Sequence, residues 1–197
     1  MADARTLAAY AARATDYARL TETSGPSDSL RRFIAALPPG GRVLDLGCGP
    51  ATASAHMRAA GLIPDPVDAS PQMVALANQT HAIGARLASF DDIAGEAVLD
   101  GVWANFSLLH APRTDLPRHI AAIARALRPG GLFHIGMKTG AGEGRDGLDR
   151  FYTYVTVPEL RALLEEAGLR VVYEAEGREA GLAGTEDPFV LMQAAKP

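Results

Sequence analysis

The sequence predicts a single α/β domain in which helices cover both faces of a parallel β-sheet. Short apolar runs alternate with helical segments along most of the chain, and repeated strand–helix units form sheets of this kind. A length of 197 residues fits one domain. A glycine-rich turn follows the first apolar run, and in such sheets the ligand binds beyond the carboxyl ends of the strands, near the first strand.

Composition excludes several classes of protein. The net charge of −4 argues against nucleic-acid binding, which needs surplus basic side chains to neutralise phosphates. Cys48 is the single cysteine, so there is no cysteine pair for a disulfide or a zinc site. No run approaches the roughly 18 apolar residues of a membrane span, and the N-terminus lacks the apolar segment of a signal peptide. We therefore expect a cytoplasmic protein that does not enter membranes.

Two helices are predicted before the sheet begins. Apolar residues recur at intervals of three and four along residues 1–20, which predicts one amphipathic helix with Tyr10 and Tyr17 on the same face. Ser24, with the glycine and proline that follow it, is expected to end this helix. A second helix is predicted over residues 30–37, where two prolines and two glycines stop it.

Seven apolar runs are predicted to be strands. They cover residues 42–46, 63–68, 86–89, 101–106, 132–138, 169–174 and 189–194. Pro64 and Pro66 lie inside the second run, and proline removes a hydrogen-bond donor from a sheet. We therefore expect the second strand to pair over only a few residues around Val67.

Capping residues mark where the connecting helices begin. The first is predicted from about residue 51 to residue 60. The second starts after Ser70, a favourable N-cap, with Pro71 at its first position. Thr114 or Asp115 opens the third, and the segment Thr156-Val-Pro-Glu159 is a capping box for the last.

The glycine turn and two acids predict a nucleotide-type cofactor. Gly47 and Gly49 allow the backbone to pass close to a ligand, and the helix that follows offers unpaired N–H groups. Asp45 precedes the turn, where its carboxylate would face a charged end of the ligand. Asp68 ends the second strand, where a carboxylate accepts hydrogen bonds from both hydroxyls of a ribose. Thr52 stands where a dinucleotide site needs a third glycine, which argues against NAD.

Three segments together resemble the successive motifs of class I S-adenosylmethionine-dependent methyltransferases. They are Val43-Leu-Asp-Leu-Gly-Cys-Gly-Pro-Ala51, Val67-Asp-Ala-Ser-Pro-Gln-Met73 and Leu127-Arg-Pro-Gly-Gly-Leu-Phe133. The three motifs are in the family's order and spacing, and the similarity covers roughly residues 40–175. The resemblance implies a Rossmann-like, doubly wound sheet of seven strands, mostly parallel, in which the last strand inserts antiparallel.

The resemblance also implies a division of the single domain, residues 1–197. Its parts are a helical cap (1–39), a cofactor-binding core (40–140), an acceptor lid (141–157) and a C-terminal helix with strands (158–197).

The family pattern assigns the glycine turn to S-adenosylmethionine, whose product is S-adenosylhomocysteine. Gly47 and Gly49 would pass under the methionine part, and Cys48 would fill the turn as a small residue. Asp45 would lie near the ammonium group and Asp68 would bind the ribose.

The adenine is assigned to the segments after the second and third strands. Ala69 and Met73 would lie against the ring. The family usually has an acid just after the third strand for the adenine amino group, but here Ser89 is followed by Phe90 and Asp91. Ser89, Asp91 or a backbone group is therefore expected to make this contact.

Residues after the fourth strand are candidates for the reaction itself, because the family places groups beside the transferable methyl there. Asn105 and His110 are the catalytic candidates, and Asn105 and Phe106 are also candidate cofactor contacts. For His110 the alternative is packing at a helix start. Tyr10 and Tyr17 either pack in the core or lie over the cofactor.

The segment from Gly140 to Tyr154 predicts a lid over the acceptor. It contains four glycines, and a loop of this length in a compact domain is usually functional or disordered. Arg145 and Arg150 suit a carboxylate or phosphate, and Tyr152 and Tyr154 offer flat walls, so we expect an anionic acceptor. The alternative is a solvated loop in which neighbouring acids pair with the arginines.

The expected activity is methyl transfer by in-line displacement. Positioning alone can supply roughly 7–11 kcal/mol of the barrier, so no dedicated base is required. The other histidines are scattered without the spacing of metal ligands, and no metal site is expected. No motif of base-amine methyltransferases follows the fourth strand. A small-molecule acceptor is therefore the first expectation, with a protein side chain, or a cofactor-binding protein without activity, as the alternatives.

Overall fold

The computed structural model describes residues 3–21 and 25–197. Its helices are α1 (Ala4–Ala12), α2 (Ala14–Thr21), α3 (Asp28–Ala35), α4 (Thr52–Ala59), α5 (Pro71–His81), α6 (Leu116–Ala126) and α7 (Val157–Glu166). Its strands are β1 (Arg42–Leu46), β2 (Ile63–Asp68), β3 (Arg86–Leu87), β4 (Leu99–Asn105), β5 (Leu127–Lys138), β6 (Glu143–Arg145), β7 (Phe151–Thr153), β8 (Arg170–Ala180) and β9 (Glu186–Ala195). Within these ranges no helix is long and apolar enough to cross a membrane.

Seven strands form one sheet in the order β3-β2-β1-β4-β5-β9-β8. β1 pairs in parallel with β2 and β4, and β4 pairs in parallel with β5. β9 lies antiparallel between β5 and β8. This order confirms the Rossmann-like sheet with its last strand inserted antiparallel. From β1 the chain adds β2 and β3 on one side and then crosses to add β4 on the other side. The strand order therefore switches at β1, and the crevice for a ligand lies beyond the end of that strand.

Helices pack on both faces of the sheet because alternate residues of each strand point to opposite sides. In β4, Val102 and Ala104 join the apolar cluster that contains α6 and α7. Trp103, between them, joins the opposite cluster with Phe33 of α3 and Met57 of α4. All five side chains are buried. The sheet is therefore the middle layer of three, and its strand ends are left open for the site.

β2 pairs with β1 along five residues, so the expectation of short pairing around Val67 is wrong for that edge and is confirmed only for the edge next to β3. The N–H of Ile63 donates to the carbonyl of Gly41, and the carbonyl of Val67 accepts from the glycine turn that follows β1. The backbone N–H and C=O groups of the odd-numbered residues of β2 therefore face β1. Pro64 and Pro66 therefore face the other edge, where β3 pairs only with the end of the strand. The two prolines remove no donor that the β1 pairing needs.

The single N-terminal helix expected from the sequence is divided into α1 and α2 at Arg13, whose N–H bonds to the carbonyl of Tyr10. Seven residues of straight helix would separate Tyr10 from Tyr17 by about 10 Å along the axis. The break brings their ring centroids to 5.3 Å, edge to face. The predicted shared face is present, and Ser24, expected to end the helix, lies outside the described residues.

Two of the three predicted helix caps are confirmed. Ser70 Oγ accepts from the N–H of Met73 at 3.3 Å. Thr156 Oγ1 accepts from the N–H of Glu159, and the Glu159 carboxylate accepts from the N–H of Thr156, which is the predicted capping box. Asp115 precedes α6 but makes no side-chain cap bond.

The segment from Gly140 to Tyr154, expected as a lid or a solvated loop, contains an antiparallel hairpin of β6 and β7. We call it the hairpin. Its backbone is tied to the N-terminal helix, since the N–H of Phe151 donates to Thr6 Oγ1 at 2.8 Å. Arg145 donates to both carboxylate oxygens of Asp3, the N-cap of α1, at 2.8 and 3.0 Å. The order of this segment therefore depends on residues that lie far away in the sequence.

Candidate functional site

Two adjoining cavities lie where β1, β2 and β4 end. The smaller cavity, about 80 Å³, is bordered by the glycine turn and by the start of α5. The larger cavity, about 560 Å³, extends from the same turn towards β9 and the hairpin. Five residues line both cavities, and we call this shared region the junction. They are Tyr10, Tyr17, Gly47, Asn105 and Phe106.

The glycine turn leaves room for a ligand because it lacks side chains. Gly47 and Gly49 have φ angles of +73° and +52°, which glycine adopts without strain. A Cβ on Gly47 would lie 2.4 Å from Cβ of Ser107, whose hydroxyl donates to the carbonyl of Leu46 at 2.6 Å. The ring of Tyr17 lies over Gly49, 3.3 Å from where a Cβ would stand. Only glycine fits at position 47, so this turn is shaped for close approach.

Asp68 joins the turn to the start of α5. Its Oδ2 accepts from the N–H of Gly49 at 2.9 Å, and its Oδ1 accepts from the N–H of Ser70 at 2.8 Å. Burial raises the pKa of this carboxyl, although the two backbone N–H groups oppose that effect. Each carboxylate oxygen can accept more than one hydrogen bond, and the residue lines the smaller cavity. Asp68 therefore supports the turn and keeps acceptor capacity for a ligand.

Asp45 lies below the turn on the side of the larger cavity. The residue is 2% exposed, and Oδ2 accepts from the hydroxyl of Ser54 at 2.7 Å. Burial raises the pKa of Asp45 to about 7, and the nearby charge of Asp68 adds to the rise. A cation bound at this point would lower the pKa and favour the ionised carboxylate.

The predicted adenine contacts divide into two groups. Ala69, Met73 and Phe90 line the smaller cavity. Ser89 instead caps a short 3₁₀ helix, its N–H and hydroxyl both donating to Asp92. Asp91 pairs with Arg118 of α6 at 2.8 Å. The structure brings Phe90 to the cavity and directs the side chains of Ser89 and Asp91 elsewhere.

His110 belongs to a chain of hydrogen bonds beside the smaller cavity. Its Nδ1 lies 2.6 Å from the carbonyl of Phe151, which only accepts, so we assign the proton to Nδ1. Nε2 then accepts from the hydroxyl of Tyr10 at 2.9 Å, and Arg150 donates to that hydroxyl oxygen at 3.1 Å. Burial lowers the pKa of His110 to about 4. His110 is therefore neutral and both its ring nitrogens are engaged.

Asn105, at the end of β4, is held by a residue that sequence reasoning missed. His134 lies opposite Trp103 in the β4–β5 pairing and stacks on it, with ring centroids 3.6 Å apart. His134 Nε2 lies 3.1 Å from Oδ1 of Asn105. The signal available in the sequence was a histidine inside an otherwise apolar strand, next to the strand that carries Asn105.

Phe106 completes the junction with an unusual backbone. Its φ angle is +56°, a left-handed conformation that is rare for an aromatic residue. Its N–H donates to the carbonyl of Gly136 at 3.1 Å, and its ring meets that of Phe189 edge to face at 5.5 Å. The strained backbone directs an aromatic ring to both cavities.

Aromatic rings and a few charges line the larger cavity. The charged side chains are those of Asp45, Lys138, Arg150, Glu179 and Asp187. The aromatic ones are those of Tyr10, Tyr17, Trp103, Phe106, Tyr152 and Phe189. Lys138 pairs with Asp187, and its Nζ lies 4.2 Å from the ring centre of Tyr152.

The arginines expected to hold an acceptor are both engaged within the protein. Arg150 is 2% exposed and donates to Asp146 through two nitrogens, at 2.9 and 2.6 Å. Arg145 pairs with Asp3 and does not line either cavity. Tyr152 lines the larger cavity. The rings of Tyr152 and Tyr154 stack with their centroids 6.1 Å apart, and Tyr154 itself lines neither cavity. The pairing of arginines with acids, given above as the alternative, is present.

Comparisons with known proteins agree with this geometry. A family model described as a methyltransferase domain matches residues 17–174, about four fifths of the chain. The ubiquinone biosynthesis O-methyltransferase of Xanthomonas axonopodis pv. citri is 29% identical over 189 residues, covering 81% of this chain and 78% of that protein.

Two solved structures share the fold. One is an S-adenosylmethionine-dependent methyltransferase from Methanosarcina mazei, with a TM-score of 0.76 and 15% identity over 87% of this chain and 98% of that chain. The other is 1,6-didemethyltoxoflavin-N1-methyltransferase from Burkholderia thailandensis, bound to 1,6-didemethyltoxoflavin and S-adenosylhomocysteine. Its TM-score is 0.68, with 25% identity over 96% of this chain and 88% of that chain.

Proposed function

The chain belongs to the methyltransferase domain family and is an S-adenosylmethionine-dependent methyltransferase. We propose that its acceptor is a small, flat, negatively charged molecule that is methylated on an oxygen atom. The observation that carries this proposal is the larger cavity, which has aromatic walls and a lysine and opens onto the junction. S-adenosylmethionine, when bound, supplies an activated methyl group on its sulfonium for in-line displacement.

The residues around the glycine turn, where the two cavities adjoin, fit that cofactor. The bare backbone of Gly47 and Gly49 gives the methionine part room, and Cys48 fills the turn between them. Asp45 would face the ammonium group, whose positive charge would oppose the effect of burial on the pKa of Asp45 and stabilise the ionised carboxylate. Asp68 would accept from the ribose hydroxyls.

The far end of the smaller cavity would take the adenine, with Ala69, Met73 and Phe90 around the ring. Because the side chains of Ser89 and Asp91 are engaged elsewhere, we propose that a backbone group meets the adenine amino group. Tyr10 and Tyr17, at the junction, would cover the cofactor from the N-terminal helices.

The wall of the larger cavity supports a flat acceptor with a negative group. Tyr152 and Phe189 offer ring surfaces, which bind planar molecules well. Lys138 supplies a positive charge that Asp187 now balances, so a negatively charged acceptor would compete with Asp187 for it. The Xanthomonas relative is named as an O-methyltransferase and the Burkholderia structure holds a small molecule, and both support this reading.

The proposal is tested by transfer of a radiolabelled methyl group from S-adenosylmethionine to cell extract. We expect the label in the low-molecular-mass fraction. Label in precipitated protein would support a protein side chain instead. Binding of S-adenosylhomocysteine without any transfer would indicate a cofactor-binding protein that no longer methylates.

Two substitutions with opposite effects then test the role of the lysine with the acceptor so found. Lys138→Met should raise the KM for the acceptor, and Asp187→Asn, which frees Lys138, should lower it. Neither should change the affinity for S-adenosylhomocysteine. Equal KM values in both variants would contradict a negatively charged acceptor at this wall.

A further inference from the structure

We infer that His134 is a positioning residue, which fixes the amide of Asn105 so that its NH₂ group faces the junction and donates to the reacting oxygen of the acceptor. The inference rests on the proposed function. It adds the group, the side-chain NH₂ of Asn105, that would hold the reacting oxygen of the acceptor. It also gives a role to the ring nitrogen of a histidine that is buried within the apolar packing of the sheet.

The position of His134 is fixed by its neighbours. The side chain is fully buried, and the ring lies nearly parallel to that of Trp103, with an interplanar angle of 11°. The ring of Phe33 meets it edge on at 6.4 Å. A ring held in this way keeps Nε2 at a constant place, 3.1 Å from Oδ1 of Asn105.

A glycine on the same strand makes room for the amide. A Cβ on Gly136 would lie 2.7 Å from Oδ1 of Asn105, so any larger residue would push the amide away from His134. Gly136 also accepts from the N–H of Phe106 through its carbonyl. Strands β4 and β5 together therefore form a seat for the amide oxygen.

The protonation state of His134 follows from its surroundings. Nδ1 is buried and has no hydrogen-bond partner in the described chain. An unpaired buried N–H group is rarer in proteins than an acceptor with unused lone pairs, so Nδ1 lacks the proton and Nε2 carries it. Burial lowers the pKa of His134 to about 3, and the ring stays neutral. Nε2–H donates to Oδ1, which turns the NH₂ group of Asn105 the other way.

The NH₂ group is available at the reacting centre. Asn105 is exposed to both cavities, and no residue in the described ranges 3–21 and 25–197 accepts a hydrogen bond from its amide nitrogen. An amide NH₂ only donates, so it favours an oxygen lone pair and disfavours an ammonium group. This chemistry selects an acceptor that arrives as a carboxylate, phenolate or enolate.

Such an acceptor needs no proton removed at the moment of transfer. An oxygen lone pair forms the new O–C bond while the S–C bond of the cofactor breaks, and the electron pair of that bond stays on sulfur. The negative charge of the oxygen and the positive charge of the sulfonium are lost together. The neutral, fully engaged state of His110 agrees with a reaction that requires no base.

Two variants separate positioning from packing. His134→Phe keeps a flat ring against Trp103 but has no donor, whereas His134→Gln gives up the ring and can place its amide nitrogen where Nε2 stood. If His134 acts through Asn105, the His134→Phe variant should lose affinity for the acceptor and the His134→Gln variant should keep it. If the histidine only fills space, the order should be reversed.

The probe is benzoate, a flat carboxylate, titrated in the presence of S-adenosylhomocysteine while the side-chain amide of Asn105 is followed by NMR. We expect benzoate to shift the NMR signal of that amide in the wild type. Its affinity should be about tenfold lower for His134→Phe, and His134→Gln should restore the affinity. Benzylamine should cause no such shift. Affinity for S-adenosylhomocysteine should be equal in all three proteins, and a loss of it in His134→Phe would mean that the amide serves the cofactor.

Nitrogen NMR of His134 tests the inference without any acceptor. We expect a proton on Nε2 and none on Nδ1 between pH 5 and 8, and the opposite tautomer would overturn it. Should His134→Phe fail to fold, Asn105→Asp replaces it, because Asp has the same shape, lacks the donors and lies at an exposed position. Unchanged benzoate binding in Asn105→Asp would overturn the inference, whereas failure of the wild-type protein to bind S-adenosylhomocysteine would overturn the proposed function.

Discussion

At the scale of single residues, Asp68 combines two tasks that a substitution cannot separate. It holds the N–H groups of Gly49 and Ser70 and faces the smaller cavity. We expect Asp68→Ala to weaken binding of S-adenosylhomocysteine by about 1.5–3 kcal/mol, because hydrogen bonds to a charged group are lost. Calorimetric titration measures this change.

The matched control for that substitution is Asp65→Ala on the same strand. Asp65 is at the surface, where it pairs with Arg86. The Asp65→Ala substitution should leave the affinity for S-adenosylhomocysteine unchanged. If both variants bind S-adenosylhomocysteine as the wild type does, the ribose is not held by Asp68.

Asp45 predicts an unusual dependence of stability on pH. Its pKa is about 7 in the folded protein against an ordinary 3.8, so between those values the folded state holds a proton that the unfolded state has released. Stability from this group is therefore complete below about pH 4 and is lost as the pH rises to about 7. Each unit of the raised pKa corresponds to about 1.4 kcal/mol.

We expect Asp45→Asn to remove this slope, because an amide does not titrate. Thermal unfolding between pH 4.5 and 8 checks it in the absence of ligand. Parallel curves for the wild type and the variant would show that the carboxyl titrates in its ordinary range.

At the scale of elements, the hairpin is stabilised by a buried ion pair and a surface one, and the two should differ in strength. The side chains of Arg150 and Asp146 are 3% and 11% exposed. Arg150→Met leaves Asp146 buried without its partner, which costs about 3–5 kcal/mol. Arg145→Met, its matched control, removes the more exposed pair with Asp3, whose side chains are 30% and 25% exposed, and should cost less.

Urea unfolding measures both changes. Adding Asp146→Asn to Arg150→Met should recover part of the loss, because the unpaired charge is then gone. Similar unfolding midpoints for the two single variants would contradict the burial of the Arg150 pair.

Elements with local causes could be predicted from the sequence, and those with distant causes could not. The caps at Ser70 and Thr156 and the glycine turn depend on residues within a few positions, and all are present. The hairpin is ordered by α1, for example through a bond between residues 145 positions apart. Nothing in the segment itself indicates that partner, so its four glycines predicted a loop.

The same distinction applies to the candidate site. Asp45, the two glycines and Asp68 lie on consecutive strand ends, and the sequence pattern placed them together correctly. The engagement of Arg150 by Asp146 and the contact of His134 with Asn105 depend on side-chain direction and on strand register. Pro64 and Pro66 show the same limit, because which edge a proline faces depends on the neighbouring strands.

At the scale of the whole molecule, the sheet order brings residues from β1, β2, β4 and α1 to one edge, so a single ligand stabilises several elements at once. S-adenosylhomocysteine at a hundred times its Kd should add about 2.7 kcal/mol to the unfolding free energy. In a domain of this size the melting temperature should rise by roughly 5–10 °C. NAD at the same concentration is the control and should cause no shift.

Phe106 shows what the molecule gives up to keep its site. Left-handed backbone at a non-glycine residue costs about 1–2 kcal/mol, and glycine at that position would remove the cost together with the ring that faces both cavities. Glycine would also give up the edge-to-face contact with Phe189 and the packing against the main apolar cluster, so relief of the strain would bring little gain in heat resistance. In directed evolution of this enzyme, a substitution at position 106 should therefore change substrate turnover more than thermostability.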